Sequence, residues 1–327
     1  MSLPSDFYQQ LDRKFDEAVA DGSLVYTKSE TVPDCVDGLH VRYTLATALA
    51  KRPSTSSDAK LAEPEHESSA SGVKSPWLPP DASLLVVPSF GAKGYRVVLN
   101  KFAVQKNHFL LVTKSFERQT SPLTEDDLLA AFELLVAANK QSKRRHVGFF
   151  NSGYNSGASV AHKHIQFLPL PDSAFEPFPD HVIEKMTNGD IPIYRNGDAP
   201  LKEDKYHFSH FIVPTPKDLT SGDELALRYS AIMARVMTTL AKNKAEYISY
   251  NFLFTEKWMM AVPRRAEKIQ GKSINALGCI GLFLAKTNED LLYFKQVGPE
   301  LILQTVGFNA EDIDGNELEG DIGYTRY

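Results

Sequence analysis

The sequence predicts an α+β fold with a mostly antiparallel sheet flanked by helices. Two observations lead there, and a third bears on its origin. Short apolar runs recur with Gly, Pro or Asn between them, among them LLVVPS (84–89), YRVVLNKF (95–102) and HFLLVTKS (108–115). Such close spacing pairs neighbouring strands as hairpins. Blocks of strands are broken by single helices instead of alternating with them, which argues against a parallel sheet. Finally, NKFAVQKNHFLLVTK (100–114) is echoed in pattern by NFLFTEKWMMAVPRR (251–265), as a diverged internal duplication would produce.

The elements follow in order. Residues 5–21 read as a helix, with Ser5 as N-cap, Phe7, Leu11, Phe15, Ala18 and Val19 on one face and Gly22 as the stop. KRPSTSSDAKLAEPEHESSASGVKSPWLPPD (51–81) has no apolar period. It reads as a mobile Ser/Pro-rich excursion, centred on 52–80, within a single domain spanning 1–327; the rival reading is a linker between two domains. After the three strands above, LTEDDLLAAFELLVAAN (123–139) is a helix capped by Thr124, with Asp127 three residues on. HVGFFNS (146–152), HKHIQFLPL (162–170) and HFSHFIVP (207–214) are strands. Residues 221–244 form a long helix opened by a Ser221/Glu224 capping box. SYNFLFT (249–255), KWMMAVPRR (257–265) and CIGLFLAK (279–286) close the chain as strands.

Composition excludes several function classes. Hydrophobic content of 43% and charged content of 24% are those of a globular protein with a core. A net charge of −5 provides no global basic field for nucleic acid. An anionic substrate would need locally placed Lys and Arg. The two cysteines, Cys35 and Cys279, make neither a disulfide framework nor a zinc-ligand spacing. Their rarity fits a reducing compartment, cytoplasmic or nuclear. The N-terminal stretch lacks the apolar core of a signal peptide, and no apolar run is long enough to span a bilayer, so no membrane partner is expected.

The chemistry is concentrated in NSGYNSGASVAHKHIQFLPL (151–170). On a strand, His162, His164, Gln166 and Leu168 share one face, while Lys163, Ile165 and Phe167 take the other, where Ile165 and Phe167 can join the core. Polar groups on a buried strand are costly unless paired or used. Three readings compete: a satisfied structural histidine pair, two ligands of a metal site completed by HFSH (207–210) or His108, and a nucleophilic histidine facing a phosphate loop. No acid or cysteine accompanies the second. Asn151, Ser152, Gly153, Asn155, Ser156, Gly157 and Ser159 could place backbone N–H groups and small hydroxyls around a phosphate, which favours the third.

This region resembles the H-x-H-x-Q transferase branch of the histidine-triad superfamily. Within that branch it is most similar to the fungal diadenosine tetraphosphate phosphorylases, also called ATP adenylyltransferases. LNKFAVQKNHFLLVTKSFERQTSPLT (99–124), FFNSGYNSGASVAHKHIQFLPLP (149–171), SHFIVPTP (209–216), SYNFLFTEKWMMAVPR (249–264) and INALGCIGLFLAK (274–286) look like the family's segments, in order. Together they cover most of the chain outside the excursion and part of 172–204.

The resemblance implies a histidine-triad-like catalytic domain and assigns roles. His164 would be the nucleophile, attacking the α-phosphorus to form a covalent nucleotidyl-histidine. A neutral imidazole suits this near neutral pH, provided its other nitrogen donates to a fixed acceptor. His162 would orient the site. Gln166 would replace the third His of the hydrolase branch, able to donate to a phosphate oxygen but not to act as general acid or base. Nucleotide contacts are expected at Lys51, Asn100, Lys101, Asn151, Gly157, Ala158, Ser159, Val160, Gln166, Asn275, Ala276, Leu277, Leu282 and Lys286, with the three lysines neutralising a polyphosphate.

The net reaction implied is diadenosine tetraphosphate plus inorganic phosphate giving ATP plus ADP, with an AMP moiety carried on the enzyme. Magnesium is expected only as the companion of the substrate, with no protein-bound metal and no organic cofactor. Two departures from the family pattern stand out. Ala103 occupies a place where relatives carry Pro, and the loop reads G-A-S-V-A before the first His. The rivals are a sugar-1-phosphate uridylyltransferase, for which Pro would stand at Lys163, a dinucleotide hydrolase, for which His would stand at Gln166, and a silent nucleotide-binding module.

Overall fold

Eight strands make the central sheet, and each neighbouring pair in it is antiparallel. The computed structural model describes residues 2–26, 29–46, 75–172, 174–189, 200–217 and 221–310. Lys51 and the excursion up to residue 74 lie outside the described residues.

The chain opens with α1 (Phe7–Ala20), β1 (Val25–Tyr26), β2 (Thr31–Val36) and β3 (Leu39–Leu45). Then come β4 (Leu85–Phe90), β5 (Tyr95–Leu99), β6 (Phe102–Ala103), β7 (Phe109–Val112), α2 (Glu125–Ser142), β8 (His146–Ser152) and β9 (His164–Pro169). The second half holds α3 (Phe178–Asn188), β10 (Phe211–Pro214), α4 (Gly222–Lys242), β11 (Tyr250–Phe254) and β12 (Trp258–Pro263). It ends with β13 (Lys268–Ile269), β14 (Lys272–Ser273), β15 (Leu282–Ala285), α5 (Asn288–Val297) and α6 (Pro299–Val306). The central order is β10-β12-β11-β8-β9-β7-β5-β4. No helix among the described residues is long and apolar enough to cross a membrane.

Alternation along the strands builds two cores. Phe252 and Phe254 of β11, Ile165 and Phe167 of β9 and Leu111 of β7 face the helical layer of α1, α2 and α4. A helix the length of α1 is marginal alone in water. Burial of Phe7, Leu11 and Phe15, each worth about 1.5–3 kcal/mol, holds it on the sheet. Leu253, Met260, Phe149 and Leu168 face the other way, toward β3, β15, α3 and α6. On that second face the β5–β7 end carries only a small cluster of Val98, Leu110 and Val112, with Trp77 packed on it. The functional face of β9 lies between these two clusters.

Several elements differ from expectation. α1 begins after Asp6, and Ser5 makes no cap. Thr124 and Asp127 do form the reciprocal box, at 3.3 and 2.9 Å. Ser221 Oγ accepts instead from the Asp223 N–H at 3.2 Å, one residue short of the box with Glu224. The apolar run from Cys279 is not one strand. Asn275 Oδ1 accepts from the Leu277 N–H (3.1 Å) and caps a 3₁₀ turn over Ala276–Ile280 before β15. β15 leaves the central sheet and pairs parallel with β3, and two helices, not a strand, follow it. The predicted strand at 207–214 is regular only over β10, since His210 turns inward: its Nδ1–H donates to Phe208 O (2.8 Å) and its Nε2 accepts from the Glu203 N–H (2.8 Å). Of the two echoed segments, 100–114 supplies β6, a turn and β7, and 251–265 the β11–β12 hairpin.

Candidate active site

His164 opens β9, opposite Val112 of β7. Its Nδ1–H donates to the backbone carbonyl of His162 at 2.8 Å. With the proton held there, Nε2 carries the lone pair. The second-face reading of β9 is borne out: the rings of His162 and His164 both lie against Trp77, while Ile165 and Phe167 join the helical core. Lys163 also takes the opposite side. There its ammonium meets Asp127 (3.1 Å), Glu117 (3.0 Å) and the Pro122 carbonyl (3.0 Å), tying the strand to the N-terminus of α2.

His162 holds the His164 imidazole through its carbonyl, while its own ring is bonded elsewhere. The ring is an anchor. Its Nε2 faces the carbonyls of Thr113 and Ser115, both at 3.0 Å, so Nε2 bears the proton. Its Nδ1 then accepts from the Ser75 hydroxyl at 2.7 Å. Burial is the largest influence on this imidazole and holds its pKa below the ordinary value, which keeps it neutral.

Gln119, which the sequence did not bring forward, holds the point where β8 and β9 part. The pairing of these strands runs as far as Phe149↔Gln166. Beyond it the Gln119 amide stands between them: Oε1 accepts from the His164 N–H (2.8 Å), and Nε2 donates to Asn151 O (2.8 Å) and His164 O (3.2 Å). A fully satisfied buried amide of this kind fixes backbone position.

The Asn/Ser/Gly loop leaves β8 here. Gly153 has φ +89°, and a Cβ on it would lie 2.2 Å from Ile248 O, so the loop lies against the β11 side of the sheet. Gly157 (φ +82°) passes close to Asn275, which a Cβ would meet at 3.2 Å. Asn151 Oδ1 accepts from the Asn251 side-chain amide (2.8 Å) and from the Ala276 N–H (3.2 Å). Asn251 also donates to Ser156 O (2.8 Å) and is hydrogen-bonded by Arg264. Arg264, wholly buried, donates further to the carbonyls of Ala266 (2.8 Å), Ile274 (2.8 Å) and Val306 (3.2 Å). Burial pulls its pKa down, yet an arginine remains a cation at neutral pH.

Asn151, Gly157, Asn275 and Ala276 are thus brought together, with Ala158 buried beside Gly157. Ser159 and Val160, half-buried, lead from this loop toward His162. Gln166 Oε1 lies 3.1 Å from His108 Nε2, which lies 3.2 Å from Asn100 Nδ2. Farther along the same face, Leu168, Leu277 and Leu282 help line a cavity of about 420 Å³ that Arg42 and Asp172 also border. Lys101 and Lys286 sit exposed at strand ends, and Lys51 is outside the described residues. The metal reading of the histidine pair finds no third ligand: among the described residues no three His, Cys, Asp or Glu side chains gather.

Two family models match in sequence order, the Ap4A phosphorylase N-terminal domain over residues 2–185 and the ATP adenylyltransferase C-terminal domain over 204–309. They define an enzyme of the nucleotidyltransferase class. Protein APA1 of Saccharomyces cerevisiae is 34% identical over 301 residues, covering 88% of this chain and 89% of the relative. Diadenosine 5',5'''-P1,P4-tetraphosphate phosphorylase 2 of the same yeast is 33% identical over 306 residues, covering 88% and 90%. The crystal structure of yeast Ap4A phosphorylase Apa2 in complex with AMP superposes with a TM-score of 0.78 at 30% identity, over 94% of this chain and 98% of that one. Apa2 in complex with Ap4A gives 0.77 at 30% identity, over 94% and 99%. The chain belongs to the Ap4A phosphorylase family.

Proposed function

We propose that this chain splits diadenosine tetraphosphate by phosphorolysis, giving ATP and ADP, through a covalent nucleotidyl-histidine on His164. The observation that carries the reading is the 2.8 Å bond from His164 Nδ1–H to the His162 carbonyl. It fixes the tautomer in which Nε2 attacks the α-phosphorus. The Nε2–P bond forms as the P–O bond to the polyphosphate breaks, and the electron pair leaves with ATP. Expelling so stable an anion needs little proton donation, which agrees with an amide, Gln166, standing beside the phosphate. An oxygen of inorganic phosphate then attacks the adenylyl phosphorus, ADP departs, and the imidazole recovers its lone pair.

In this reading backbone N–H groups of residues 157–160 cradle the phosphates, since the Asn155 N–H is committed to Ser249 Oγ (3.1 Å). Leu168, Leu277 and Leu282 offer apolar walls to one nucleoside. Magnesium arrives with the substrate as the counter-ion of its polyphosphate. The free thiols of Cys35 and Cys279 favour a reducing compartment, cytoplasmic or nuclear.

The test is chromatography of products from the full chain mixed with diadenosine tetraphosphate and Mg²⁺, with and without phosphate. ATP plus ADP that require phosphate, and vanish in His164→Ala, are the expected result. ATP plus AMP in both tubes would make water the acceptor and overturn it.

A further inference from the structure

Trp77 lies beside the nucleophile and has no part in the scheme above. Its ring centroid is 4.9 Å from that of His164, with the planes tilted at 53°, and 5.6 Å from that of His162. The indole rests on Val98, Leu110 and Val112, the short apolar stretch of the second sheet face. Its backbone is held independently of any substrate. Arg96 Nη1 donates to the Trp77 carbonyl (3.1 Å), and the Trp77 N–H donates to Ser75 Oγ (3.1 Å). Ser75 is also the hydroxyl bonded to His162 Nδ1, at 2.7 Å. The ring anchor of the first histidine therefore also places an aromatic ring against the second.

We propose that Trp77 is a positioning residue for the nucleotidyl transfer, its indole face steadying the positive charge that His164 acquires as it takes up the nucleotidyl group. The proposal rests on the covalent reading of His164. When Nε2 bonds to phosphorus while Nδ1 keeps its proton, the imidazole becomes a cation until the acceptor phosphate breaks the Nε2–P bond and returns the electron pair. Among the described residues, the His162 carbonyl, 2.8 Å from Nδ1, and the Trp77 ring both lie against that cation. An indole face within about 6 Å of a cation attracts it through its quadrupole, most strongly where water is excluded. His164 is 5% exposed, which meets that condition. A purely structural tryptophan would resemble Trp258, the other one in the chain. Trp258 is 0% exposed and donates its indole N–H to Asp180 at 2.8 Å.

The experiment is single-turnover adenylylation of the full chain by diadenosine tetraphosphate and Mg²⁺ without phosphate, read by ATP release and by the intact mass of the adduct. Trp77→Leu is expected to slow adduct formation about tenfold, while Trp77→Phe and Trp77→Tyr keep most of the rate. Fluorinated tryptophans installed at position 77 preserve shape but weaken the ring quadrupole. The rate constant is expected to fall with each added fluorine, a gradation that packing alone would not produce. These variants also decide the matter if Trp77→Leu fails to fold. Wild-type rates in Trp77→Leu, or a flat response to fluorination, would overturn the role of Trp77 while the adduct itself still forms. Absence of an adduct in the wild type would instead overturn the covalent reading, and this role with it.

Discussion

Lys163 Nζ lies 3.1 Å from the Asp127 carboxylate, directly behind the strand whose other face presents His162 and His164. Asp127 also accepts from the Thr124 N–H (2.9 Å), the Tyr95 hydroxyl (2.5 Å) and Lys93 Nζ (3.1 Å). Both side chains are buried, and Lys163→Met removes one of two cations from Asp127, leaving Lys93. The variant is expected to lower unfolding free energy by about 1.5–3 kcal/mol, measured by urea denaturation.

The same cluster sets an acid limit on stability. Burial would raise the Asp127 carboxyl, but the Thr124 N–H, the Tyr95 hydroxyl and the Lys163 ammonium bring it below the ordinary value. A depressed folded-state pKa contributes stability that is present above the unfolded value of about 3.9 and lost as pH falls through the folded one. Thermal melts from pH 6 downward should show the wild type losing stability below about pH 4. Asp127→Asn should be less stable at pH 6 and should lack that component of the acid loss.

The two histidines should respond differently to truncation. His164→Ala removes the nitrogen that attacks in the proposed mechanism and should abolish product formation. His162→Ala keeps the carbonyl that holds the His164 proton but leaves the Thr113 and Ser115 carbonyls without their donor. It should cost about 1–3 kcal/mol of stability and leave measurable turnover. Equal, total loss in both variants at full folding would contradict the anchoring role of the His162 ring.

Gln119→Leu takes away the amide that bridges Asn151 O to the His164 N–H and C=O. Stranded backbone groups should lower stability by about 1–3 kcal/mol. Because the displaced backbone is that of His164, the nucleophile of the proposed mechanism, kcat is expected to fall more than KM rises. Steady-state kinetics on diadenosine tetraphosphate check the split.

Gly153→Ala demands a left-handed backbone with a side chain whose Cβ would meet Ile248 O at 2.2 Å. Strain and overpacking together should cost about 2–4 kcal/mol and displace the loop. Weaker nucleotide binding should accompany the loss, read by titration calorimetry with AMP.

Arg264→Lys is the remaining test of the loop's support. A lysine ammonium cannot reproduce the fork that joins Asn251 to the carbonyls of Ala266, Ile274 and Val306. A loss of about 2–4 kcal/mol is expected, with a rise in KM as Asn151 and Ser156 lose their backing.

How much was legible in the sequence depended on how local each signal was. α2 announced itself by its apolar content and by Thr124 and Asp127, both within one turn. The strands of the central sheet showed as apolar runs because they are buried on both faces. β2 did not, since TVPDCV is exposed along nearly its whole length and holds a proline. α5 buries only Phe294, so its apolar period is faint, yet Thr287 capping at the Asp290 N–H (3.1 Å) was a readable start signal. The H-x-H-x-Q face followed from strand periodicity alone, while choosing the nucleophile among three readings needed the family resemblance. Gln119 and Arg264 act across long stretches of chain, and no spacing rule points to them.

The central sheet has a consequence for recombination. β8 of the first matched segment and β11 of the second lie side by side, and across that seam Asn251 donates to Asn151 at 2.8 Å. His164 and the backing of the loop beside it thus come from different halves of the gene. A chimera that joins one relative's first segment to another's second must inherit a matched seam. Shuffling between diverged relatives should yield active enzymes only where the crossover preserves the Asn151–Asn251–Arg264 contacts, whatever the overall identity of the parents.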